Sequence, residues 1–308
     1  MLIQKKILNS FEYIILKCQE FINEDLSNHI NLIKNITFDK KISTNIFVLH
    51  YWLLESLENN DRIECKKVLD YILQTQLIDY DVKILSLNDY IFKEKILYWV
   101  LNNKIDLPES KNKPYINFPS TEEVELSKKA ISNLFLILKS KTPHFFKHLS
   151  KNTRNIFLCK SNCIAATTSQ LFFGSMIISY PEDVFEQNNL LEYYFDTIIH
   201  EYAHIQLNMI LSNDPIIINE SDYEFTSPIR NELRPMLGVF HAFYVLGHVL
   251  DIGKRIINDL EKDVMIPLLS ERKKEFLSAA NTIKESAILT EYGKNIFHNI
   301  TKIHNINI

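Results

Sequence analysis

The chain has 308 residues, of which 46% are hydrophobic and 23% are charged, and its formal net charge is −4. This balance is typical of a globular protein and provides no excess of positive charge for a nucleic-acid partner. The chain has only 5 Gly and no G-x-G-x-x-G run, which excludes a Gly-rich phosphate loop. Six of its 34 basic residues are Arg, so the position of each Arg is informative.

The first hundred residues carry a helical pattern. Apolar side chains recur every three or four positions over 3–34, 45–58, 62–76 and 89–103, which predicts amphipathic helices. The segment 102–120 then contains three prolines and breaks this spacing. We therefore predict a helical N-terminal region at 1–105 and a second domain at 120–308.

The second domain is predicted to mix helices with a few strands. Ser120 and Glu123 have capping-box spacing, which predicts a helix over 121–140. Short β-branched and aromatic runs between 154 and 180 predict two or three strands. Further helices are expected over 187–212, 235–257, 267–286 and 288–300. The expected fold is mainly α with a small β-sheet (α+β), and not a jelly-roll, because eight evenly spaced strands are lacking.

Cysteines and hydropathy indicate a cytoplasmic protein. Four Cys without a paired C-x-x-C pattern are expected to be reduced thiols. The most apolar window, 236–250, is 15 residues long and contains two His, which makes it too short and too polar to span a bilayer. We expect no membrane partner.

The most specific local pattern is H-E-x-x-H at His200-Glu201-Tyr202-Ala203-His204. Residues four apart share one helical face, so both imidazoles can reach one metal ion while Glu201 lies beside it. The third ligand decides the reaction class. The metzincin continuation is excluded, because Leu207 and Ile210 stand at its Gly and His positions.

A zinc metallopeptidase remains one hypothesis. In that reading Glu224 or Glu232 is the third ligand, and Glu201 is the general base. A helical binding module with a structural metal is a further alternative.

Downstream residues favour a different chemistry. His241 lies seven residues, or two helical turns, after Arg234, and the two are expected to project from one helix face. An imidazole that binds a metal, next to an Arg that binds a carboxylate through two hydrogen bonds, suits a metal with an anionic co-substrate. His248, on the same stripe, is expected to be a core residue.

Two segments over about 195–250 carry a family resemblance, TIIHEYAHIQLN and SPIRNELRPMLGVFHAFYVL. They resemble the HExxH-motif proteins of ribosomal peptide modification, which are 2-oxoglutarate-dependent, iron-containing peptide β-hydroxylases. Ile229 and Ala242 depart from that family's pattern, where a Trp and often a Gly are expected. The positions that fit it are Ser227, Pro228, Arg230, Arg234, Pro235, Gly238 and His241.

The resemblance implies an Fe(II)- and 2-oxoglutarate-dependent dioxygenase that uses O₂ to hydroxylate a side-chain β-carbon of a precursor peptide. The implied metal ligands are His200 and His204, with His241 preferred over Glu232 as the third. Arg234 is the first candidate for the 2-oxoglutarate carboxylate, and Arg230 is the second. Glu201 would orient a ligand or a bound water.

Overall fold

The computed structural model describes residues 2–37, 41–102, 115–221, 224–227, 229 and 233–306. It is 67% helical and 11% strand. The strands form a small mixed sheet and a separate hairpin, and no barrel occurs in the described part of the chain. The prediction of a mainly α fold with a small sheet, and not a jelly-roll, is confirmed.

Contacts divide the chain into two compact units. The first unit contains residues 1–124 and 150–180, and the second contains 125–149 and 181–308. This division differs from the predicted regions 1–105 and 120–308. The difference arises because the strands between 150 and 180 pair with a strand from the N-terminal part of the chain.

Among the described residues, five α-helices lie wholly within the first unit, and local capping explains several of their ends. The side chains of Ser43 and Asp61 accept hydrogen bonds from the first turns of the helices that follow them. Asn23 adopts a φ of 59°, a left-handed conformation that ends the first helix. The helices are α1 (Leu2–Ile22), α2 (Ser27–Lys34), α3 (Thr44–Glu58), α4 (Arg62–Gln74) and α5 (Lys93–Leu101).

The sheet of the first unit has the order β1-β3-β5-β4, and β2 also pairs with β3. Strand β3 runs parallel to both β1 and β5. Strand β4 pairs with β5 in the antiparallel direction, and β2 pairs with β3 in the same way. Parallel strands covered on both faces are buried along their whole length, as β5 is. The strands are β1 (Lys83–Ser86), β2 (Ile116–Asn117), β3 (Asn155–Ser161), β4 (Ala166–Thr168) and β5 (Met176–Ser179).

Arg154 is buried in the core of this unit. Its guanidinium lies 5.7 Å and 5.9 Å from the ring centroids of Phe47 and Phe173 and donates hydrogen bonds to the backbone carbonyls of Ile42 and Asn152. Burial lowers the pKa of Arg154 to about 10, so the side chain is a buried cation at neutral pH. One of the six Arg therefore has a structural role.

The second unit is a helical assembly with one β-hairpin. The predicted capping box is present: Ser120 N donates to Glu123, and Glu123 N donates to Ser120 Oγ. Helices α6 and α7 both cross the boundary between the units. The elements are α6 (Thr121–Lys141), α7 (Pro143–Asn152), α8 (Val184–Asn188), α9 (Leu190–Leu211), β6 (Glu224–Thr226), β7 (Leu233–Pro235), α10 (Met236–Ile256), α11 (Lys262–Ser286) and α12 (Glu291–Ile303).

Helix α10 packs against α9 and α11 in the interior of the second unit. The stretch Met236–Asp259 is long and apolar enough to cross a membrane by length and composition, and it is the one such helix among the described residues. It is longer than the predicted 15-residue window. Of its most apolar window, 72% is buried inside the protein, as in the core helix of a globular domain.

Candidate metal centre

Helix α9 presents the two histidines of the H-E-x-x-H motif side by side. His200 Nε2 lies 3.3 Å from His204 Nε2, and the ring centroids are 5.0 Å apart. The helix is fixed here by buried apolar residues on its other faces, including Phe195, Ile199 and Ala203. Two nitrogens bound to one tetrahedral metal at about 2.1 Å are about 3.4 Å apart. The observed spacing fits such a pair.

Helix α10 brings a third imidazole to the same place. His241 Nδ1 lies 3.3 Å from His204 Nδ1, with ring centroids 5.5 Å apart. The packing of α9 against α10 produces this approach across 37 residues of sequence. The structure therefore brings together His200, His204 and His241, as the sequence analysis expected.

The three rings do not yet surround a single point. His204 turns Nε2 toward His200 and Nδ1 toward His241, so the two close approaches involve different nitrogens of one ring. As the side chains stand, no group of three or more His, Cys, Asp or Glu among the described residues could hold a metal ion. Binding of one metal by all three imidazoles therefore requires the side chains to rearrange.

The local electrostatics keep His200 neutral. Burial lowers the pKa of His200 to about 4, while Asp196 raises it and Arg272 lowers it to smaller extents. A neutral imidazole has a free lone pair at neutral pH, which is the form that binds a metal.

Glu201 is a buried carboxyl with an exposed fraction of 4%. It makes no hydrogen bond or ion pair with any part of the chain that the structure describes. Loss of hydration raises the pKa of Glu201 to about 8, so in this state the carboxyl is mostly protonated at pH 7.

Arg234 does not lie on the helix that carries His241. It is in β7, opposite Phe225 of β6, and α10 begins at Met236. The expectation of one shared helix face is therefore wrong, because the hairpin extends to Pro235. The Arg234 side chain nevertheless covers Gly238: a Cβ at Gly238 would lie 3.3 Å from Arg234 Cβ and 3.4 Å from its Cδ. Gly238 precedes His241 by three residues, on the same side of α10.

Arg230 and Glu232 fall outside the described residues. Glu224 is on β6 with an exposed side chain. His248 Nδ1 is 2.9 Å from the carbonyl oxygen of Tyr244, and its ring packs on the Tyr244 ring, in keeping with a core residue.

Sequence reasoning missed a charged cluster beside His200. Arg272 of α11 donates to both carboxylate oxygens of Asp196, at 2.7 Å and 3.4 Å, and to Glu275 at 3.0 Å. The only sequence signal was the position of Asp196, four residues before His200. Its partner is 76 residues away, and no local pattern connects the two.

Comparison of the chain with protein-family models gives no match, and comparison with curated proteins also gives none. The interpretation of the site therefore depends on its residues and their geometry.

Proposed function

We propose that the protein is an Fe(II)- and 2-oxoglutarate-dependent oxygenase that hydroxylates a side-chain β-carbon of a ribosomally made precursor peptide. One observation supports this most: His200, His204 and His241 converge from two packed helices, and Arg234 covers the turn of α10 just before His241. A metal site flanked by a guanidinium suits an anionic co-substrate.

The chain's own residues have distinct roles in this proposal. The three imidazoles hold the metal and leave positions for other ligands. Arg234 binds the distal carboxylate of 2-oxoglutarate and fixes its orientation, and Arg230 is the second candidate. When bound, Fe(II) with 2-oxoglutarate and O₂ would supply the oxidising power for C–H hydroxylation, with release of succinate and CO₂. Glu201 would orient a ligand or a bound water.

The proposed setting follows from the same features. A buried α10 and four buried free cysteines fit a reducing compartment, so we propose a cytoplasmic protein. Its partner is the precursor peptide, and we expect neither a nucleic acid nor a membrane partner.

The experiment is anaerobic reconstitution with Fe(II), followed by 2-oxoglutarate, O₂ and candidate precursor peptides. We expect succinate to form in step with a peptide that gains one oxygen, about 16 Da. The matched controls are His204→Ala and Arg234→Met. Absence of 2-oxoglutarate turnover with every peptide, together with zinc as the bound metal, would contradict the proposal.

Glu201 favours a second candidate, a zinc metallopeptidase. A buried carboxyl that directly follows a metal-binding His is the residue that activates water in that class. This candidate predicts a peptide that is split and an activity that Glu201→Gln abolishes. An intact peptide that gains oxygen excludes it. Unchanged function in a His200→Ala, His204→Ala double variant would instead favour a binding module.

A further inference from the structure

The cluster around Arg272 connects two helices of the second unit at the level of the candidate metal centre. Arg272 of α11 binds Asp196 of α9 through Nε and Nη2, which is a two-pronged contact with both carboxylate oxygens. Its Nη1 binds Glu275. The three side chains are partly buried, with exposed fractions of 23%, 17% and 17%. Paired contacts of this kind are more directional than a single ion pair.

The cluster is also the charged environment of His200. Asp196 lies one helical turn before His200 on α9, and both Asp196 and Arg272 act electrostatically on the His200 imidazole. His204 lies one turn after His200 on α9, and His241 lies on the neighbouring helix α10. Fixing the turn that contains Asp196 therefore fixes the backbone from which His200 reaches the other two rings.

We propose that Asp196 and Arg272 are positioning residues of the three-histidine metal centre. Their paired contact holds the turn of α9 that precedes the H-E-x-x-H segment against α11 and so sets the direction of the His200 ring. The inference rests on the metal binding that the proposed function requires, but not on 2-oxoglutarate chemistry. Partners that orient a ligand from outside typically contribute about 10–100-fold to metal affinity.

Two other roles give different results. In the first alternative, Asp196 affects the bound metal only through the electrostatic field of its negative charge. Arg272→Met would then strengthen the binding of a divalent cation, because the cluster would change from one net negative charge to two. As a tie between α9 and α11 without influence on the metal, the pair would change the unfolding temperature and leave the metal's affinity and spectrum unchanged.

The test measures Co(II) binding to the full chain by competition with a chelator, together with the visible spectrum of bound Co(II). Asp196→Asn and Arg272→Met should each lower the affinity by about 10–100-fold and shift the spectrum. The double variant should be no weaker than the weaker single variant, because both remove one contact. Arg272→Lys should recover part of the loss. Thermal unfolding of the metal-free proteins shows which variants fold. If Arg272→Met does not fold, the isosteric variant Asp196→Asn still tests the inference.

The control is a second Asp–Arg pair in the same unit. Arg255 donates to Asp251 on α10 at 3.0 Å and 3.1 Å in a more exposed position, so Asp251→Asn should leave Co(II) affinity within about twofold. Tighter binding by Arg272→Met, or unchanged affinity and spectrum in Asp196→Asn, overturns the inference. Wild-type protein that binds no Co(II) overturns it together with the metal centre. Wild-type protein that shows the Co(II) effects but forms no succinate contradicts only the proposed function.

Discussion

His204 lies between two other imidazoles and offers each of them a different nitrogen. The His200–His204 pair could be predicted from sequence, because a spacing of four fixes one helix face. The third histidine required a choice between His241 and Glu232, which only the packing of α9 on α10 could inform. That packing brings His241 within contact of His204.

This arrangement predicts that His241→Ala binds the metal much more weakly than wild type. The affinity for Fe(II) or Co(II) should fall by more than the roughly 100-fold expected for an outer partner, because a ligand itself is removed. Equilibrium dialysis checks the result. The control is His248→Gln on the same helix, where the imidazole contacts the backbone of Tyr244. Equal affinity in His241→Ala and wild type would show that His241 is not a ligand.

Gly238 provides a test of Arg234 that leaves the guanidinium in place. A Cβ at Gly238 would lie 3.3 Å from Arg234 Cβ, which forces the Arg234 side chain to move by a few tenths of an ångström. We expect Gly238→Ala to raise the KM for 2-oxoglutarate several-fold with little change in metal affinity.

Helix propensity separates this effect from misfolding. Ala is more favourable than Gly within a helix by up to about 1 kcal/mol, and this gain opposes the cost of moving Arg234, so the variant should still fold. Arg255→Lys, at an exposed Arg near the end of the same helix, is the matched control. An unchanged KM for 2-oxoglutarate in Gly238→Ala would show that Arg234 does not bind the co-substrate.

At the scale of elements, long periodic helices were predicted well. Helix α9 was expected over 187–212 and runs from Leu190 to Leu211. Helix α10 was expected over 235–257 and runs from Met236 to Ile256. In both, apolar residues repeat over several turns and a buried face confirms the period. The site could be localised because both histidine-bearing helices belong to this class.

Short elements that depend on distant partners were not predicted. Strand β1 has four residues and forms by pairing with β3, about 70 positions later. The β6–β7 hairpin was not predicted, because its strands have only three residues each. Helix α7, which begins at Pro143, was not predicted either. The helical pattern over 3–34 is interrupted at Asn23, which adopts a left-handed conformation. Local periodicity carries no information about such pairing.

His50 is buried where α1 packs on α3, and its burial predicts how the stability of the fold depends on pH. His50 is 4% exposed, and its Nε2 lies 2.9 Å from Ser10 Oγ. Burial lowers the pKa of His50 to about 4, below the value of about 6.5 for an unfolded chain. The neutral imidazole therefore stabilises the fold above pH 6.5, and this contribution is lost as the pH falls toward 4. The loss reaches about 3 kcal/mol at pH 4.

Urea unfolding between pH 4 and 7.5 measures this contribution. His50→Gln should reduce the fall in the free energy of unfolding between pH 6.5 and 4, whatever its effect at pH 7.5. His148→Gln, at an exposed position on α7, should keep the wild-type pH dependence. A His50→Gln variant with the wild-type slope would show that His50 is not buried in neutral form.

At the scale of the whole molecule, the chain does not divide at its proline-rich segment. Residues 150–180 follow that segment, yet β3 and β5 complete a sheet with β1, and Arg154 contacts Ile42 and Phe47 from the N-terminal part of the chain. Composition signals a boundary where periodicity breaks, but it cannot show that the chain returns to its first unit.

This topology predicts that residues 120–308 do not form an independent domain. Without the first 119 residues, β3 loses β1 along one edge, and the completely buried Ile156, Phe157 and Leu158 lose their partners on that strand. We expect this shortened chain to aggregate or to unfold without a cooperative transition, while the full chain unfolds cooperatively. Circular dichroism during thermal unfolding and size-exclusion chromatography measure both. A soluble shortened chain with a cooperative transition and full-length metal affinity would contradict the role assigned to β1 and restore the boundary near residue 120.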